Sequence, residues 1–501
     1  MLSVIYSGSL HGIDALPIQV EVNTGERGEL KWVIVGLPDA AVKESQNRVF
    51  SALGNCGFAL PISRTTINLA PGNLRKEGPI YDLPIALAII AATQQAKLTR
   101  SSEFLIAGEL SLSGKIRPIP GAFNLALLAK KMGKRGVILP LECAQSATFV
   151  DGIEVYGIEY LKDCVDFLRG FKEIAPLQNN GQVVEAPITN DLKHIHGQKI
   201  LKRVVEIAVA GNHNLLMMGP PGCGKSMIAK CIPDLMPPPT YSEWLDILKI
   251  QSACGITIDT TCRRRPFRSP HHNVSDAGLI GGGMIPQPGE ISLAHNGVLF
   301  LDELPEFKRT VLEMLRQPLE NGEVSIVRSN GKLTFPCKTL CIAAMNPCPC
   351  GYFGNRQRRC TCSQKQIQQY RARVSGPLLD RFDLQIEVQP VSLSSFQNVS
   401  EETPTQVVKE RIAEARKLQI ARAQTYNADL SATQVENTCR CSKDNLIWLQ
   451  NACQQLQLSA RAYHKVLKIS RTIADLANKP NIEKEHLMEA MQYRCFDRAW
   501  K

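Results

Sequence analysis

A glycine-rich segment with the residues of a phosphate-binding loop lies near the middle of the 501-residue chain. Residues 219–226 match the pattern G-x-x-x-x-G-K-S/T, in which glycines let successive backbone N–H groups converge on an anion. In that pattern Lys225 supplies a positive charge to the β- and γ-phosphates of a nucleotide, and the Ser226 hydroxyl coordinates Mg²⁺. The alternative is a glycine-rich turn without a ligand. The predicted nucleotide site is formed by Gly219, Pro220, Pro221, Gly222, Cys223, Gly224, Lys225 and Ser226.

The sequence around this segment predicts the elements that a phosphate loop needs. Residues 214–219 form an apolar run that ends in glycine, which predicts a buried parallel strand. A helix is predicted from Ser226 onward, with its N-terminus facing the phosphates. A second apolar run, 298–301, ends in Asp302 and Glu303. Because ligands bind at the carboxyl ends of parallel strands, we expect Asp302 to hold Mg²⁺ through water and Glu303 to polarise the attacking water.

Several further polar residues resemble signature positions of AAA+ ATPases. Asn346 ends an apolar run, as sensor 1 does in those proteins, where the side chain helps to orient the nucleophilic water. The segment around Arg381 is similar to the arginine-finger segment of the chelatase and MCM-like branch, and Arg371 and Arg373 are alternatives. Arg461 lies in a segment that resembles sensor 2, a lid arginine that reaches the nucleotide. A finger acts on a neighbouring subunit, so the resemblance implies a homo-oligomer; a surface ion pair is the other explanation for each arginine.

Two insertions resemble those of the same AAA+ branch. Residues 323–335 alternate apolar and polar side chains around Asn-Gly, which predicts a β-hairpin similar to the pre-sensor 1 hairpin that touches DNA in MCM helicases. Arg328 and Lys332 near its tip are then the DNA phosphate contacts. The alternative is an ordinary exposed hairpin with solvated charges. The glycine-rich stretch 279–297 is similar to the helix-2 insert.

Other basic and histidine-containing segments are candidates for binding. Residues 263–268 form a basic cluster whose phenylalanine is available to stack on a base. His271 and His272 follow it without an acid or thiol nearby in the sequence, so we expect a structural or pore-loop role and not a metal site. We expect His194 and His196 to lie near the adenine base and not to ligate a metal.

Four cysteines occur as two C-x-C pairs with nine residues between the pairs. Four thiolates on two tight turns can form a tetrahedral structural Zn²⁺ site. The one-residue gap departs from the usual two-residue gap, and free thiols or disulfides are the alternatives. A catalytic metal is not expected, because no open position or general base is apparent. The predicted ligands are Cys348, Cys350, Cys360 and Cys362.

The first 171 residues contain no nucleotide motif and alternate strand-like and helix-like segments, which predicts an α/β domain. The stretch A-G-E-L-S-L-S-G-K-I-R-P-I-P-G at 107–121 resembles the proteolytic domain of Lon, particularly its inactive version in the RadA recombination ATPase. Ile80 and Phe123 stand at the positions of the Lon serine and lysine, and neither can attack a carbonyl or take a proton. The resemblance therefore implies a scaffold or binding domain. The side chains expected on a polyanion-binding face, or else on a solvated surface, are Arg64, Arg75 and Lys76.

Composition supports a basic protein without membrane segments. The net charge of +11 and the pI of about 8.9 favour a polyanionic partner. The longest apolar stretch is 83–92, shorter than the ~20 residues of a spanning helix. The N-terminus lacks the features of a secretory signal, and the 17 cysteines are interpreted as reduced thiols. We therefore expect a cytoplasmic location and no membrane partner.

The predicted fold is α/β, with a Lon-like domain at 1–171, a linker at 172–190, an AAA+ phosphate-loop core at 191–391 and a helical lid at 392–501. Over nearly the whole chain this combination resembles the ComM/YifB family of magnesium chelatase-like proteins. The most specific matches are N-P-C-P-C-G at 346–351 and S-G-P-L-L-D-R-F-D at 375–383.

The family resemblance implies a hexameric, ATP-driven DNA helicase that promotes branch migration during natural transformation. ATP, Mg²⁺, single-stranded or branched DNA and recombination proteins are its implied ligands and partners. One alternative is the motor subunit of a metal chelatase, which lacks a Lon-like domain. The other alternative is a protein unfoldase, and the missing protease dyad argues only against proteolysis.

Overall fold

The computed structural model describes residues 1–26, 31–179, 184–283, 286–328, 331–355, 358–390 and 403–494. The chain forms two compact units. The first unit combines Met1–Val184 with Tyr241–Cys262, and the second combines Glu185–Thr240 with Arg263–Lys501.

The strands and helices of the described residues alternate along most of the chain, and helices alone follow the last strand. The strands are β1 (Leu2–His11), β2 (Asp14–Glu26), β3 (Trp32–Val35), β4 (Arg64–Ala70), β5 (Phe104–Ile106), β6 (Glu109–Leu110), β7 (Ile116–Arg117), β8 (Gly136–Pro140), β9 (Glu154–Ile158), β10 (Val184–Glu185), β11 (Leu215–Met218), β12 (Cys262–Arg263), β13 (Phe267–Arg268), β14 (Gly281–Gly282), β15 (Gln287–Pro288), β16 (Val298–Leu301), β17 (Glu323–Arg328), β18 (Gly331–Pro336), β19 (Leu340–Met345) and β20 (Leu384–Glu387). The α-helices are α1 (Ala40–Asn55), α2 (Asp82–Ala92), α3 (Ala122–Lys131), α4 (Leu141–Ala144), α5 (Leu161–Arg169), α6 (Lys199–Gly211), α7 (Lys225–Leu235), α8 (Tyr241–Ala253), α9 (Asp276–Ile280), α10 (Glu290–Leu293), α11 (Arg309–Met314), α12 (Arg316–Asn321), α13 (Gln364–Arg371), α14 (Gly376–Leu379), α15 (Thr405–Ala423), α16 (Ala432–Thr438), α17 (Lys443–Gln455), α18 (Ala460–Leu476) and α19 (Lys484–Gln492).

The first unit is an α/β structure with two main sheets. One has the order β1-β2-β4-β3, in which β1, β2 and β4 pair antiparallel and β3 pairs parallel to β4. The other is parallel, with the order β5-β8-β9. Helix α2 packs on β1 and β2. Its sequence is apolar on nearly every side, so all of its residues except Ala91 are buried.

The two positions aligned with the Lon dyad lie inside this unit. Ile80 and Phe123 are both buried in its hydrophobic core. The suggested basic face is wrong for one of its three members: Lys76 is fully buried, and its ammonium donates to the Pro71 carbonyl. Burial lowers the pKa of Lys76. Arg75 instead pairs with the Glu77 carboxylate at 3.5 Å.

An excursion of the chain after helix α7 belongs to the first unit, although the sequence boundaries placed it within 191–391. Helix α8 contributes Trp244, Ile247 and Leu248 to the core of that unit. Ser252 accepts from two N–H groups at the start of α3: its carbonyl from Gly121 at 2.7 Å and its hydroxyl from Phe123 at 3.1 Å. These bonds satisfy helix N–H groups that have no partner within α3.

The second unit is built on a five-stranded sheet with the order β13-β16-β19-β11-β20. All its pairs are parallel, so the five strands point the same way. Strands β11, β16 and β19 are buried along their whole length, as their continuous apolar sequences predict for a sheet covered on both faces. The carboxyl ends of the strands therefore form one edge of the sheet and the amino ends form the other.

A C-terminal helical region, α15 to α19, shares one hydrophobic core with this sheet. Helix α15 packs on α6, and its Arg416 and Gln419 side chains donate to the last carbonyls of that helix, Val209 and Ala210. Such bonds complete carbonyls that a helix end leaves without partners. Among the described helices, none has both the length and the hydropathy needed to cross a bilayer.

Candidate functional site

The phosphate loop connects β11 to α7, as its pattern predicts. Gly222 and Gly224 have φ of 76° and 92°, in the region that favours glycine. Gly219 is required for a different reason: a Cβ there would lie 2.6 Å from the Val388 carbonyl oxygen. The loop therefore has a tight backbone, followed at once by the N-terminus of a helix, which suits the binding of an anion.

Lys225 lies inside the loop and is buried. Its ammonium donates to the carbonyls of Gly219 at 2.7 Å and Pro220 at 2.9 Å, and to the Asn346 Oδ1 at 3.3 Å. Strands β11 and β19 are neighbours in the sheet, which explains why the loop and Asn346 meet at the same edge. We call this edge, formed by the carboxyl ends of the strands, the nucleotide edge.

The two predicted Mg²⁺ ligands are in direct contact. The Ser226 hydroxyl donates to Asp302 Oδ2 at 2.7 Å, and the other carboxylate oxygen accepts from the Glu303 backbone N–H at 3.0 Å. A hydroxyl and a carboxylate side by side next to a phosphate loop are the oxygen donors that Mg²⁺ requires. These residues therefore fit the Mg²⁺ that the motif implies.

Glu303 has a different environment from its neighbour. Its backbone is left-handed, with φ of 54°, and its side chain is 54% exposed. Its Oε2 lies 3.5 Å from His272 Nδ1, and the centroids of the His272 and His271 rings are 4.1 Å apart, with the ring planes tilted by 34°. This acid is about 30 residues from the histidine pair in the sequence, at the end of β16, so the sequence near the pair does not reveal it. Asp302 is thus hydrogen-bonded to Ser226, whereas the Glu303 side chain contacts solvent and His272.

A glutamine missed by the sequence analysis also contacts the phosphate loop. Gln198 lies just before α6, and its side-chain amide donates to the Cys223 carbonyl at 3.2 Å and the Gln389 carbonyl at 2.7 Å. It thereby links the loop to the chain that follows β20. Of the two histidines predicted near the base, His194 is exposed and His196 is half-buried, and their role stays a prediction.

Arg381 and Arg461 lie at the opposite edge of the sheet. Both pair with the Glu320 carboxylate, Arg461 at 3.1 Å, and Arg461 also pairs with Asp380 at 3.0 Å. We call Glu320, Asp380, Arg381 and Arg461 the edge cluster. The backbone N–H of Asp383 donates to the Asn214 carbonyl, just before β11, so the cluster lies at the amino ends of the strands.

The position of the edge cluster changes what its arginines can reach. The four residues of β11 separate it from the phosphate loop by about 13 Å of strand. The sensor 2 prediction had Arg461 reaching the nucleotide, but its contacts are in the edge cluster and not at the phosphate loop of its own chain. The cluster lines a cleft of about 590 Å³ that also contains Lys465 and Lys468.

The two alternative finger arginines have structural partners. Arg371 donates from Nε to the Pro347 carbonyl at 3.2 Å, and its guanidinium lies over the Phe353 ring. Arg373 pairs with Glu306 at 2.9 Å.

The four cysteines of the predicted zinc site come together. The sulfur atoms of Cys348, Cys350 and Cys360 lie 3.4 to 3.7 Å apart, and all four sulfurs are within 4.8 Å of one another. These separations exceed a disulfide bond of about 2.05 Å. They approach the ~3.8 Å between ligands of a tetrahedron with Zn–S bonds of about 2.3 Å. The donor set and its geometry therefore fit a tetrahedral zinc ion.

Hydrogen bonds favour the thiolate form of Cys350 in this cluster. In Cys360 and Cys362 a backbone hydrogen bond lowers the pKa, but burial and the neighbouring sulfurs of Cys348 and Cys350 outweigh it and raise the pKa. Burial raises the pKa of the Cys350 thiol, but backbone N–H groups of Tyr352 and Thr361 stabilise the thiolate and lower that pKa to about 5. Phe353 N–H also donates to the Cys348 sulfur at 3.3 Å. The thiolate is the form that binds a metal.

The hairpin formed by β17 and β18 is present, with Val327 opposite Lys332 in an antiparallel register. Lys332 and Val327 are exposed. The tip residues Ser329 and Asn330, and the side chain of Arg328, lie outside the described part of the structure. Lys332 is therefore accessible at the surface, and the DNA contacts of both Lys332 and Arg328 stay predictions.

The basic cluster at 263–268 is wrong as a nucleic-acid surface for most of its members. Arg265 is buried and donates to the carbonyls of Pro237 and Asn296. Arg268 makes two bonds to Glu290, at 2.6 and 2.7 Å. Two more residues of the cluster also have partners within the protein: Arg264 pairs with Asp234, and Phe267 stacks on Phe300.

Comparison with known proteins agrees with this geometry. Residues 191–396 match the family model described as "Magnesium chelatase, subunit ChlI", residues 20–143 match "Subunit ChlI of Mg-chelatase", and residues 402–494 match "Magnesium chelatase, subunit ChlI C-terminal". The chain is 42% identical to competence protein ComM of Haemophilus influenzae over 99% of this chain and 98% of the relative. It is 40% identical to YifB of Escherichia coli over 99% and 98%. A shorter match, 25% identical over 35% of this chain and 18% of the relative, is to DNA replication licensing factor Mcm6 of Drosophila melanogaster. The chain therefore belongs to the magnesium chelatase-like AAA+ ATPase family that includes competence protein ComM.

Proposed function

We propose that this protein is an ATP-driven AAA+ motor that works as a ring, a hexamer by the family resemblance, and acts on DNA as a helicase promoting branch migration in natural transformation and recombination. The observation that carries the proposal is that two half-sites lie apart in one chain. The phosphate loop is at the nucleotide edge, and the edge cluster is at the amino ends of the same strands. A chain with this layout completes a nucleotide site only by placing its edge cluster against the phosphate loop of a neighbour.

Each half-site has its own part in hydrolysis. Lys225 and the loop N–H groups hold the phosphates, and Ser226 with Asp302 would hold Mg²⁺. When bound, Mg²⁺ would neutralise the charge that develops on the phosphates. Glu303 and Asn346 orient and polarise the attacking water. From the neighbouring subunit, Arg381 and Arg461 stabilise the charge on the transferred phosphoryl group.

The DNA-binding part of the proposal rests on the hairpin and on the relatives. Lys332 is exposed on β18, and the formal net charge of the chain is +11. The relative that is 42% identical over 99% of the chain is named a competence protein. We propose that Lys332 and Arg328 contact phosphates of single-stranded or branched DNA in the centre of the ring, with recombination proteins as partners.

Two further assignments complete the proposal. The first unit is a Lon-like domain without a catalytic dyad, because buried Ile80 and Phe123 offer neither a nucleophile nor a base. The four-cysteine cluster is a structural Zn²⁺ site, since its sulfur geometry suits a tetrahedral ion. We also propose a cytoplasmic location, where cysteines stay reduced and can bind zinc as thiolates.

The test measures ATP hydrolysis with no DNA, with single-stranded DNA and with a branched junction. We expect DNA to stimulate hydrolysis by the wild type, and Lys332→Ala to lose that stimulation. When DNA affinity is measured over a series of salt concentrations, the slope of log affinity against log salt should be smaller in magnitude by about one in this variant. Lys417→Ala is the matched control, because Lys417 is an exposed lysine on α15 and not on the hairpin.

Other stimulators decide between the proposal and its alternatives. If DNA leaves the rate unchanged and an unfolded protein raises it, the motor is an unfoldase. If a porphyrin-loaded partner raises the rate instead, the motor is a chelatase subunit.

A further inference from the structure

The four-cysteine cluster is continuous with the nucleotide site. Asn346, which accepts from the Lys225 ammonium at 3.3 Å, is two residues before Cys348. The intervening Pro347 carbonyl accepts from Arg371 at 3.2 Å. The first cysteine pair is therefore attached to the end of β19, at the position where Asn346 meets the phosphate loop.

The turn of this cysteine pair also packs directly on the phosphate loop. Gly351 follows Cys350 and has φ of 84°. A Cβ at Gly351 would lie 2.7 Å from Pro221 Cδ and 3.9 Å from Asn346 Cγ. The backbone of the turn thus lies against both a phosphate-loop residue and the residue proposed to orient the water, and only glycine allows this approach.

Hydrogen bonds give the two cysteine pairs their local shape. The Gly351 N–H donates to the Cys348 carbonyl at 2.9 Å, and the Phe353 N–H donates to the Cys348 sulfur at 3.3 Å. In the second pair, the Cys362 N–H donates to the Cys360 sulfur at 3.4 Å. Nine residues separate the two cysteine pairs in the chain, so a metal ion that binds both pairs closes the loop between them and holds the first turn to the second. Thiolates this close repel one another when no cation lies between them.

We propose that the zinc-bound cysteine cluster positions the phosphate loop and Asn346, so that zinc occupancy controls nucleotide binding and hydrolysis at the adjoining site. This inference rests on the zinc site and the ATPase activity proposed above. Zinc bound to the cluster keeps the turn at 348–351 in place. The turn then holds Pro221 from one side and fixes the backbone that carries Asn346.

A pair of glycine variants tests the contact itself. Gly351→Ala places a methyl group against Pro221, whereas Gly354→Ala lies in the same loop with φ of 78° and has no atom closer than Glu387 Oε1 at 3.9 Å. Both variants have the same unfavourable backbone, and only one touches the phosphate loop. We expect Gly351→Ala to keep one zinc per chain and to lose about 10- to 100-fold in hydrolysis, with weaker binding of a fluorescent ATP analogue. Gly354→Ala should stay near the wild type in all three measurements.

Zinc removal tests the dependence on the ion. The wild-type protein is treated with a chelator, its zinc content and its affinity for the fluorescent ATP analogue are measured, and zinc is then added back. We expect analogue binding and hydrolysis to fall together and to return with zinc. Cys360→Ser should reproduce the zinc-free state, and added zinc should not rescue it.

The outcomes separate the inference from the proposals beneath it. A wild-type protein without zinc would contradict the zinc site, and one without hydrolysis would contradict the ATPase. If the protein binds zinc and hydrolyses ATP, but chelation leaves analogue affinity and hydrolysis unchanged, the inference alone is wrong. Equal losses in Gly351→Ala and Gly354→Ala would also overturn it, because backbone strain would then explain the effect.

Discussion

The division of work between Asp302 and Glu303 follows from where their side chains point. Asp302 accepts from the Ser226 hydroxyl and from the Glu303 N–H, so both of its oxygens are engaged. The backbone of Glu303 is left-handed, and its own side chain points towards solvent and His272. One carboxylate is thus placed to hold a cation and the other to act on water.

This division predicts the effect of Glu303→Gln. The amide keeps the size of the side chain but cannot polarise or accept a proton from water, so we expect hydrolysis to fall by about 10²- to 10⁴-fold. Binding of a fluorescent ATP analogue should stay within about twofold, because Glu303 is not among the residues that hold the phosphates. Steady-state hydrolysis and equilibrium binding measure the two effects.

Glu306→Gln is the matched control for this substitution. Glu306 lies in the same turn, and its carboxylate pairs with Arg373. It should retain hydrolysis close to the wild-type rate. Equal losses in both variants would contradict the role assigned to Glu303.

The residues that the sequence predicts for the nucleotide site lie together in the structure, because their spacing is local. The loop residues are consecutive, and Asp302 and Asn346 each end an apolar strand. The approach of His272 to Glu303 has no local signature. It depends on the parallel register of β13 beside β16, which only the folded sheet determines.

At the scale of elements, the start of α15 is fastened to the start of the second unit by a carboxylate. Asp191 accepts from the Thr405 backbone N–H at 3.1 Å, from its hydroxyl at 2.9 Å and from the Lys193 N–H at 3.1 Å. Burial raises the pKa of Asp191, but these hydrogen bonds outweigh it and lower the pKa to about 2. The ionised carboxylate is therefore the form that holds the two segments together.

The depressed pKa fixes the sign of a pH effect on stability. Because the folded-state pKa lies below the ordinary value of about 3.9, Asp191 stabilises the fold at pH above about 4, and this contribution is lost as pH falls towards 2. The Asp191→Asn variant lacks the titrating group. The free energy of unfolding of this variant should therefore fall less than that of the wild type between pH 5 and about 3. Urea denaturation followed by circular dichroism measures the difference.

An exposed aspartate provides the control for this pH effect. Asp444 lies in the first turn of α17, and no hydrogen bond to its carboxylate is among those of the described residues. Asp444→Asn should lose stability with acid as the wild type does. If the free energy of unfolding falls equally with acid in the wild type and in Asp191→Asn, Asp191 is not the carboxylate responsible for the pH dependence.

Sequence patterns predicted many elements but not all of their partners. Strands β11 and β16 follow from apolar runs, and the β17–β18 hairpin follows from the alternation of apolar and polar residues around Asn-Gly. Helix α8 is different, because its amphipathic sequence does not tell which surface it covers. It packs on α3, more than 100 residues earlier, and this pairing emerges only when the first unit is assembled.

At the scale of the whole molecule, the sheet places the two halves of the proposed ATP site where one chain cannot join them. Lys225 is at the nucleotide edge, and Arg381 pairs with Glu320 at the other edge, about 13 Å away along β11. A ring in which each nucleotide edge meets the next subunit's edge cluster uses one repeated head-to-tail interface. Such a ring makes a prediction that a monomeric enzyme does not share.

Two inactive variants should restore activity to each other. Lys225→Ala lacks the nucleotide half, and Arg381→Ala lacks the arginine half, so a homo-oligomer of either should hydrolyse ATP at least about 10³-fold more slowly than the wild type. In co-expressed mixed rings, a complete site forms wherever the intact phosphate loop of one variant meets the intact arginine of the other. Random equal mixing makes about one interface in four complete, so the purified mixture should approach a quarter of the wild-type rate.

A second mixture shows whether the restored activity comes from the shared interface. Lys225→Ala and Glu303→Gln both damage the nucleotide half, so no arrangement of these two subunits yields a complete site, and their mixture should stay inactive. Mixtures with Arg461→Ala in place of Arg381→Ala test the other arginine in the same way. If Lys225→Ala and Arg381→Ala fail to complement while size-exclusion chromatography finds them in the same ring, the arginine acts within its own chain. The assignment of a site shared between subunits would then be wrong.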